Sequence, residues 1–251
     1  MSERNENSAR FEIAAAYAIV IGSYLIALLF SDAQLRKILT YESLIETLGA
    51  LFFLLASIAL FWLYRASSTE DNHFFGRRTR RNVHVGLLAI LMFICFGEET
   101  SWGQMIFGWR APQFFSEVNA QSETNLHNIW IVHQWNPDGS EKTFVQKFIN
   151  MNRLFSIFWL FFFVVLPTAA SISPAVRRWV EFTGLPLPPL WVGGLFLTSI
   201  ITYKLILLTD AGAARAGPLD ELKESTYAFV FFVLALFEII RTRRGRSVLD
   251  E

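Results

Sequence analysis

The sequence predicts an all-α fold: a polytopic membrane bundle of about six transmembrane helices in a single domain, residues 1–251. An amphipathic or re-entrant helical segment is expected between the third and fourth spans. Hydrophobic residues make up 53% of the chain and charged residues 18%, whereas a soluble domain is about one quarter charged. The apolar residues occur in blocks of about 20, the length that a helix needs to cross the hydrocarbon core. The formal net charge is zero, so nothing predicts a nucleic-acid partner.

Six segments meet this length requirement, at about residues 11–30, 44–63, 85–107, 154–175, 190–208 and 226–240. Cytoplasmic loops of membrane proteins are rich in Lys and Arg. With six spans, thirteen arginines fall on one side, against eight basic residues in longer segments on the other. Those thirteen are Arg4, Arg10, Arg65, Arg77, Arg78, Arg80, Arg81, Arg177, Arg178, Arg241, Arg243, Arg244 and Arg246. Both termini are therefore predicted to be cytoplasmic.

The third span contains two adjacent carboxylates. Its apolar run leads directly into Gly97-Glu98-Glu99-Thr100-Ser101-Trp102-Gly103-Gln104. On the predicted topology, Glu98 and Glu99 lie past the midplane toward the outer face, because a helix rises 1.5 Å per residue. Two carboxylates in a low-dielectric site repel, so one is expected to be protonated, paired with a cation or bound to metal. Alternatively, the helix ends near Gly97 and both glutamates lie in headgroup water.

A structured non-cytoplasmic loop is predicted at 109–153, because its length far exceeds that of ordinary connections. Residues 113–135 have helical periodicity, which places Glu123 and His127 one turn apart and able to share a metal ion. Imidazole with carboxylate suits Zn or Fe, and Mn less strongly. The alternative is a structural hydrogen-bonded pair at a helix contact. His133 is six residues from His127 and cannot join the same site on a regular helix.

Other polar residues are predicted to lie near these groups in the outer half of the molecule. Glu42 and Glu46 open the second span, and Lys204 and Asp210 close the fifth. The predicted catalytic residues are Glu98, Glu99, Glu123 and His127, of which Glu99, Glu123 and His127 are the candidate metal ligands. The predicted supporting polar residues are Trp102, Gln104, Asn125, Asn128, His133, Glu42, Glu46 and Lys204.

Two stretches also resemble known sequences. The Gly97–Gln104 octapeptide, followed by Glu123-Thr124-Asn125-Leu126-His127-Asn128, resembles stretches in uncharacterised multi-pass membrane proteins of bacteria. The resemblance implies a bacterial inner membrane location and says nothing about chemistry. The Glu-Glu pair is also similar to that of CAAX-protease-like membrane proteins, but Gly103 stands where their arginine would be.

The sequence is compatible with three functions. The first is a membrane-embedded metal-dependent enzyme acting on a lipid or lipid-linked substrate. The second is a cation- or proton-coupled transporter, and the third is a non-catalytic subunit or assembly factor of a larger membrane complex. Membrane lipid is an expected partner in each case, and a homo-oligomer or a larger complex is compatible with all three.

Overall fold

A computed structural model describes residues 3–39, 44–67, 72–133, 136–144, 146 and 149–243, and these residues are predominantly helical. The helices are α1 (Glu3–Leu28), α2 (Asp32–Leu39), α3 (Leu44–Ala66), α4 (Val83–Glu99), α5 (Gln104–Phe107), α6 (Gln113–Val118), α7 (Met151–Leu160), α8 (Leu166–Ile172), α9 (Pro174–Thr183), α10 (Leu190–Leu207), α11 (Asp210–Ala213) and α12 (Ala216–Arg243). A 3₁₀ turn covers Ser101–Gly103, and a π-helical turn, Phe161–Val165, joins α7 to α8. A small antiparallel hairpin pairs β1 (His73–Phe74) with β2 (Arg77–Arg78).

Five helices of the described residues are long and apolar enough to cross a membrane. They include α1, the stretch that contains α3, the continuous segment Arg153–Ile172, α10 and α12. A sixth crossing is obtained if α4 and the bent segment Ser101–Phe107 are taken together. The structure therefore confirms an all-helical bundle with five to six candidate spans.

Helix α3 lies between α4 and α12 and holds the three together. Ser57 of α3 donates to the carbonyl of Ala89 in α4, at 2.9 Å. At its other side, the Ser225 hydroxyl of α12 donates to the carbonyl of Ile45, also at 2.9 Å. There, Gly49 leaves no room for a side chain against Ser225. Because α4 runs back along α3, the start of α3, the end of α4 and the start of α12 meet at one end of the bundle.

Aromatic side chains fill the centre of the bundle. Trp159, Phe163, Phe196 and Phe231 are completely buried and pack together between α7, the π-helical turn, α10 and α12. Large apolar side chains elsewhere remain exposed on the outer faces of the helices. Apolar side chains both in the core and on the outer surface are expected where lipid replaces water as the solvent.

The third predicted span is not one continuous helix. Helix α4 ends at Glu99, and the following segment turns away by 62°. Ser101 and Trp102 have φ values of 46° and 54°, in the left-handed region, and Gly103 has a φ of 92°. The prediction of a continuous helix through residue 107 was wrong. Met105, Ile106 and Phe107 continue the apolar pattern of the sequence, although the backbone has already turned away from the axis of α4.

The predicted helix over 113–135 is also wrong. Among the described residues of this range, which end at 133, only Gln113–Val118 is helical, and 119–133 form turns closed by a bridge between Asn119 and Ile129. Asn119 Oδ1 accepts from the backbone N–H groups of Gln121 and Glu123, at 2.9 and 3.2 Å. These bonds replace helical ones, which is how an Asn side chain competes with helix formation.

The last span begins ten residues earlier than predicted, at Ala216 instead of residue 226. The additional turns carry Asp220, Glu221 and Glu224. The hydropathy window excluded these turns because they are charged. Their position at the shared end of the bundle brings them to the site.

Candidate functional site

A cavity of about 230 Å³ lies where the start of α3, the end of α4, the start of α12 and the 119–133 loop meet. Its lining is dominated by carboxylates: Glu46, Glu98, Glu99, Glu123, Asp220, Glu221 and Glu224. Two histidines, His127 and His133, and several amide side chains complete the polar wall, and Lys and Arg are absent from the described residues that line it. The cavity is therefore strongly acidic.

Glu98 holds the loop against the end of α4. Its Oε2 accepts from the backbone N–H of Leu126 at 2.6 Å and from that of His127 at 3.0 Å. The same oxygen lies 3.3 Å from His127 Nδ1. Its other oxygen, Oε1, accepts from Trp102 Nε1 at 2.7 Å. Both oxygens are engaged, so Glu98 is a positioning residue in this structure.

Glu123 lies at the buried side of the loop, with only 4% of its surface exposed. Its Oε2 accepts from Ser101 Oγ at 2.7 Å and from Asn125 Nδ2 at 2.5 Å. Its Oε1 is buried and has no hydrogen-bond partner within the described ranges. A buried acceptor without a partner is costly. Glu123 therefore brings an unsatisfied carboxylate oxygen to the cavity wall.

The loop is fixed to the broken helix by a second contact. Gln104 Oε1 accepts from the backbone N–H and the hydroxyl of Thr124, at 2.9 and 2.6 Å. The buried Asn119 Nδ2 donates to Asn125 Oδ1 at 2.8 Å, a hydrogen bond between two residues of the same loop. The break after α4 and the turns after α6 are therefore one hydrogen-bonded unit, although twenty residues separate them.

Glu99 faces the carboxylates of the neighbouring helices. Its electrostatic neighbours include Glu224 of α12 and Glu46 of α3. Glu221, one turn before Glu224, interacts with the same group of acids. These acids come from three helices whose packing is fixed elsewhere in the bundle. The packing of these helices therefore holds the acids close to one another.

His127 lies outside the spans and has partners at both ring nitrogens. Nδ1 faces Glu98, and Nε2 lies 3.2 Å from Asn128 Nδ2. Burial alone lowers the pKa of this imidazole. The hydrogen bond to Glu98 and the charge of Glu99 outweigh that effect and raise the pKa above its ordinary value. The acidic surroundings therefore raise the pKa of His127, although Nε2 can accept from the Asn128 amide only while the ring is neutral.

The structure brings together most of the residues that the sequence predicted. Glu46, Glu98, Glu99, Glu123, Asn125, His127, Asn128 and His133 line the cavity. Trp102 contacts the lining residue Glu98, and Gln104 contacts Thr124, which lies between the lining residues Glu123 and Asn125. The helical Glu123–His127 pair does not exist, because these residues lie in turns and Glu98 is the carboxylate beside His127. Asp220, Glu221 and Glu224 were missed. Their spacing at i, i+1 and i+4 directly before an apolar run was the available signal.

Two other predicted residues, Lys204 and Asp210, do not line the cavity, and a third cannot be placed. Lys204 is exposed on α10, with its Nζ 5.2 Å from the ring centroid of Tyr203. Asp210 is in the first turn of α11. Glu42 lies outside the described residues. Lys204 and Asp210 are therefore not among the residues that line the cavity, although the neighbouring Tyr203 donates to the lining residue Asp220 at 2.7 Å.

The metal-ligand geometry is not assembled in this arrangement. Within the described segments, no three His, Cys, Asp or Glu side chains are positioned to hold one ion together. Of the predicted ligands, Glu123 has an open oxygen, whereas both ring nitrogens of His127 already have partners. The open positions at the cavity are thus carboxylate oxygens.

Comparisons of the chain with models of protein families, with curated proteins and with solved structures gave no match.

Proposed function

We propose that this protein is a membrane-embedded, metal-dependent enzyme whose centre is the acidic cavity. The observation that carries the proposal is the buried, unpartnered Oε1 of Glu123 in a cavity lined by seven carboxylates. Desolvated carboxylates at such density require protons or cations, since like charges in a low-dielectric site are strongly unfavourable. A bound cation satisfies Glu123 and its neighbours at the same time.

The proposed ligands are Glu99 and Glu123 with the acids of α12, Glu221 and Glu224. His127, the third ligand that the sequence predicts, is assigned to positioning because its ring nitrogens are occupied. An oxygen-only site favours hard ions such as Mn²⁺ or Mg²⁺ over the Zn or Fe expected from the sequence. Ligand side chains have to close around the ion on binding, and the cavity volume leaves room for this.

Catalysis is proposed because the cavity holds more acids than one ion needs. A metal ion lowers the pKa of its bound water. A neighbouring carboxylate that is not a ligand can then accept the proton as general base. Asp220 already has Lys223 as its partner, and one divalent ion would not neutralise the other six carboxylates. The favoured substrate is therefore a lipid or lipid-linked molecule whose reacting group is neutral or cationic, and not a phosphate.

The proposed location is the inner membrane of a bacterium, with both termini in the cytoplasm. The distribution of arginines supports this orientation, because the basic hairpin and α9 lie at the end of the bundle opposite the cavity. The acidic cavity then opens toward the outer leaflet. Exposed Trp102, Ile106 and Phe107 lie on the segment that follows the break, at the side from which a lipid would approach.

The test is metal binding by the detergent-purified protein, measured by the loss of the free Mn²⁺ electron paramagnetic resonance signal. Glu123→Gln keeps the shape of the side chain, and its carbonyl oxygen can still accept from Ser101 and Asn125. It places a neutral amide where the open oxygen stands. We expect about a tenfold to hundredfold weaker Mn²⁺ affinity.

The matched control is Glu117→Gln, which removes an exposed carboxylate on α6 and should bind Mn²⁺ as the wild type does. Equal Mn²⁺ affinity in the wild type and in Glu123→Gln would contradict the proposed site. No Mn²⁺ binding by the wild type at millimolar concentration would contradict the proposed metal dependence.

A further inference from the structure

A second charged surface lies at the other end of the bundle. It consists of the β1–β2 hairpin with the residues that follow it as far as Arg80, and of helix α9, and we call it the basic platform. Its arginines are Arg77, Arg78, Arg80, Arg177 and Arg178, all exposed, and Glu181 is the acidic residue among the described parts of these two elements. The platform therefore carries a clear positive charge.

Exposed aromatic side chains lie among these arginines. Phe75 at the hairpin tip is 54% exposed, and Trp179 and Phe182 on α9 are 49% and 56% exposed. The opposite side of α9 is buried through Val180 and Thr183. An amphipathic helix with arginines and exposed aromatics is typical of a segment in the headgroup region of a bilayer.

The hairpin and α9 form one rigid unit. The backbone N–H of Gly76 donates to the carbonyl of Phe182 at 2.7 Å, and that of Phe75 to Thr183 at 3.3 Å. His84 Nε2 lies 2.8 Å from the same Thr183 carbonyl and ties both elements to α4. Gly184, with a φ of 71°, approaches the carbonyl of His73 so closely that no side chain fits. The arginines of the two elements are therefore presented on a common surface.

We propose that the basic platform binds the phosphate headgroups of anionic phospholipids in the leaflet opposite the acidic cavity. Guanidinium groups bind phosphate oxygens with directional, charge-assisted hydrogen bonds. The exposed aromatics enter the adjacent acyl and glycerol region, which a free anion could not use. The combination of arginines with aromatics thus selects a lipid over inorganic phosphate.

The site is independent of the acidic cavity. Helices α3 and α4 run their whole length between the two ends, and the two sites carry charges of opposite sign. On the proposed orientation, the platform faces the cytoplasmic leaflet, where anionic lipids give a negative surface potential. The bound lipid would hold α9, and with it the end of α8, at a fixed depth in the bilayer.

The test uses the full-length protein in a neutral detergent and a fluorescently labelled phosphatidylglycerol, whose binding is followed by anisotropy. We expect saturable binding that unlabelled phosphatidylglycerol displaces and phosphatidylcholine does not. The double variant Arg77→Gln/Arg178→Gln should weaken binding about tenfold to thirtyfold, from the usual contribution of each basic residue near an anionic surface.

The matched control is Lys37→Gln/Arg110→Gln, which removes two exposed positive charges at the end of the bundle that carries the cavity. It should bind the labelled lipid as the wild type does. The charge-conserving variant Arg77→Lys/Arg178→Lys should retain most of the binding. Retained binding would show that the glutamine variant binds weakly because it lacks the charges, and not because changing these two side chains disturbs the fold.

Three results would overturn the proposal. Equal displacement by phosphatidylcholine would show ordinary apolar lipid contact, and equal displacement by inorganic phosphate would show a simple anion site. Equal weakening by the platform variant and by the control variant would show an effect of net charge alone.

Discussion

The two carboxylate oxygens of Glu98 lie beside four nitrogen atoms from two parts of the chain. One oxygen accepts from the indole of Trp102, and the other lies at the backbone N–H groups of Leu126 and His127 and at the imidazole of His127. The residue therefore joins the end of α4 to the loop that carries Glu123. Glu98 and Glu99 are adjacent in the sequence but have different roles, because Glu99 faces the other acids of the cavity.

Glu98→Gln is expected to loosen the loop without emptying the cavity of charge. A glutamine provides one acceptor oxygen where the carboxylate provides two, so at least one of these partly exposed donors loses its partner, at a cost of about 1 kcal/mol. Hydrogen–deuterium exchange of the peptide that contains Leu126 and His127 should become faster. Unchanged exchange there, with Glu117→Gln as the reference for an exposed acid, would contradict the positioning role.

At the scale of elements, two breaks from regular structure shape the site: the turn after α4 and the turns after α6. Both depend on side chains that bond to the backbone, such as Asn119, or on left-handed residues, such as Trp102 and Gly103. At the opposite end, Gly184 closes α9 against the hairpin. Short irregular segments thus position the functional surfaces, and the long helices supply the frame.

Gly184→Ala is expected to detach the hairpin from α9. The added methyl group would collide with the carbonyl of His73, and the positive φ adds strain of about 1–2 kcal/mol. Gly108→Ala is a close control, because Gly108 has a φ of 68° with open space around it. Limited proteolysis at the arginines of the hairpin should be faster in Gly184→Ala than in Gly108→Ala. Equal rates would show that backbone strain alone matters.

At the scale of the whole molecule, three helices converge with their acids at one end while arginines gather at the other. Glu46, Glu99 and Glu221 each come from a different helix, and the packing of α3 against both neighbours sets their separation. The zero net charge of the chain therefore hides a strong charge separation along the bundle. Without cations, this arrangement stores repulsion unless the acids take up protons.

Neutralising one of the acids on α12 should stabilise the metal-free protein. Glu221→Gln removes one repelling carboxylate, and we expect the thermal transition in the presence of a chelator to rise by about 2–4 °C. Added Mn²⁺ should raise the transition of the wild type more than that of the variant, because ligand binding stabilises the folded state. Glu181→Gln, on exposed α9, is the control. A lower transition in Glu221→Gln would contradict the stored repulsion.

The sequence was sufficient to predict the bundle because crossing helices require long apolar runs, and most spans lie within a few residues of their predicted bounds. It also located Glu98, Glu99, Glu123 and His127 near one another. It failed where apolar periodicity continued through Met105–Phe107 although the backbone had turned. It also failed at 119–133, where Asn119 replaces helical hydrogen bonds with its own side chain. The acids of α12 were overlooked because charged residues lower the mean hydropathy of a segment below that of a span, although the helix continues through them.

The early end of α4 has a consequence for the surrounding bilayer. Its 17 residues span about 25 Å, whereas a typical hydrocarbon core is about 30 Å thick. A helix that is shorter than the hydrocarbon core is accommodated by local thinning of the bilayer. On the proposed orientation, thinning beside this helix would bring the outer leaflet closer to Glu99, so that a lipid would reach the acidic cavity with less exposure of its acyl chains to water.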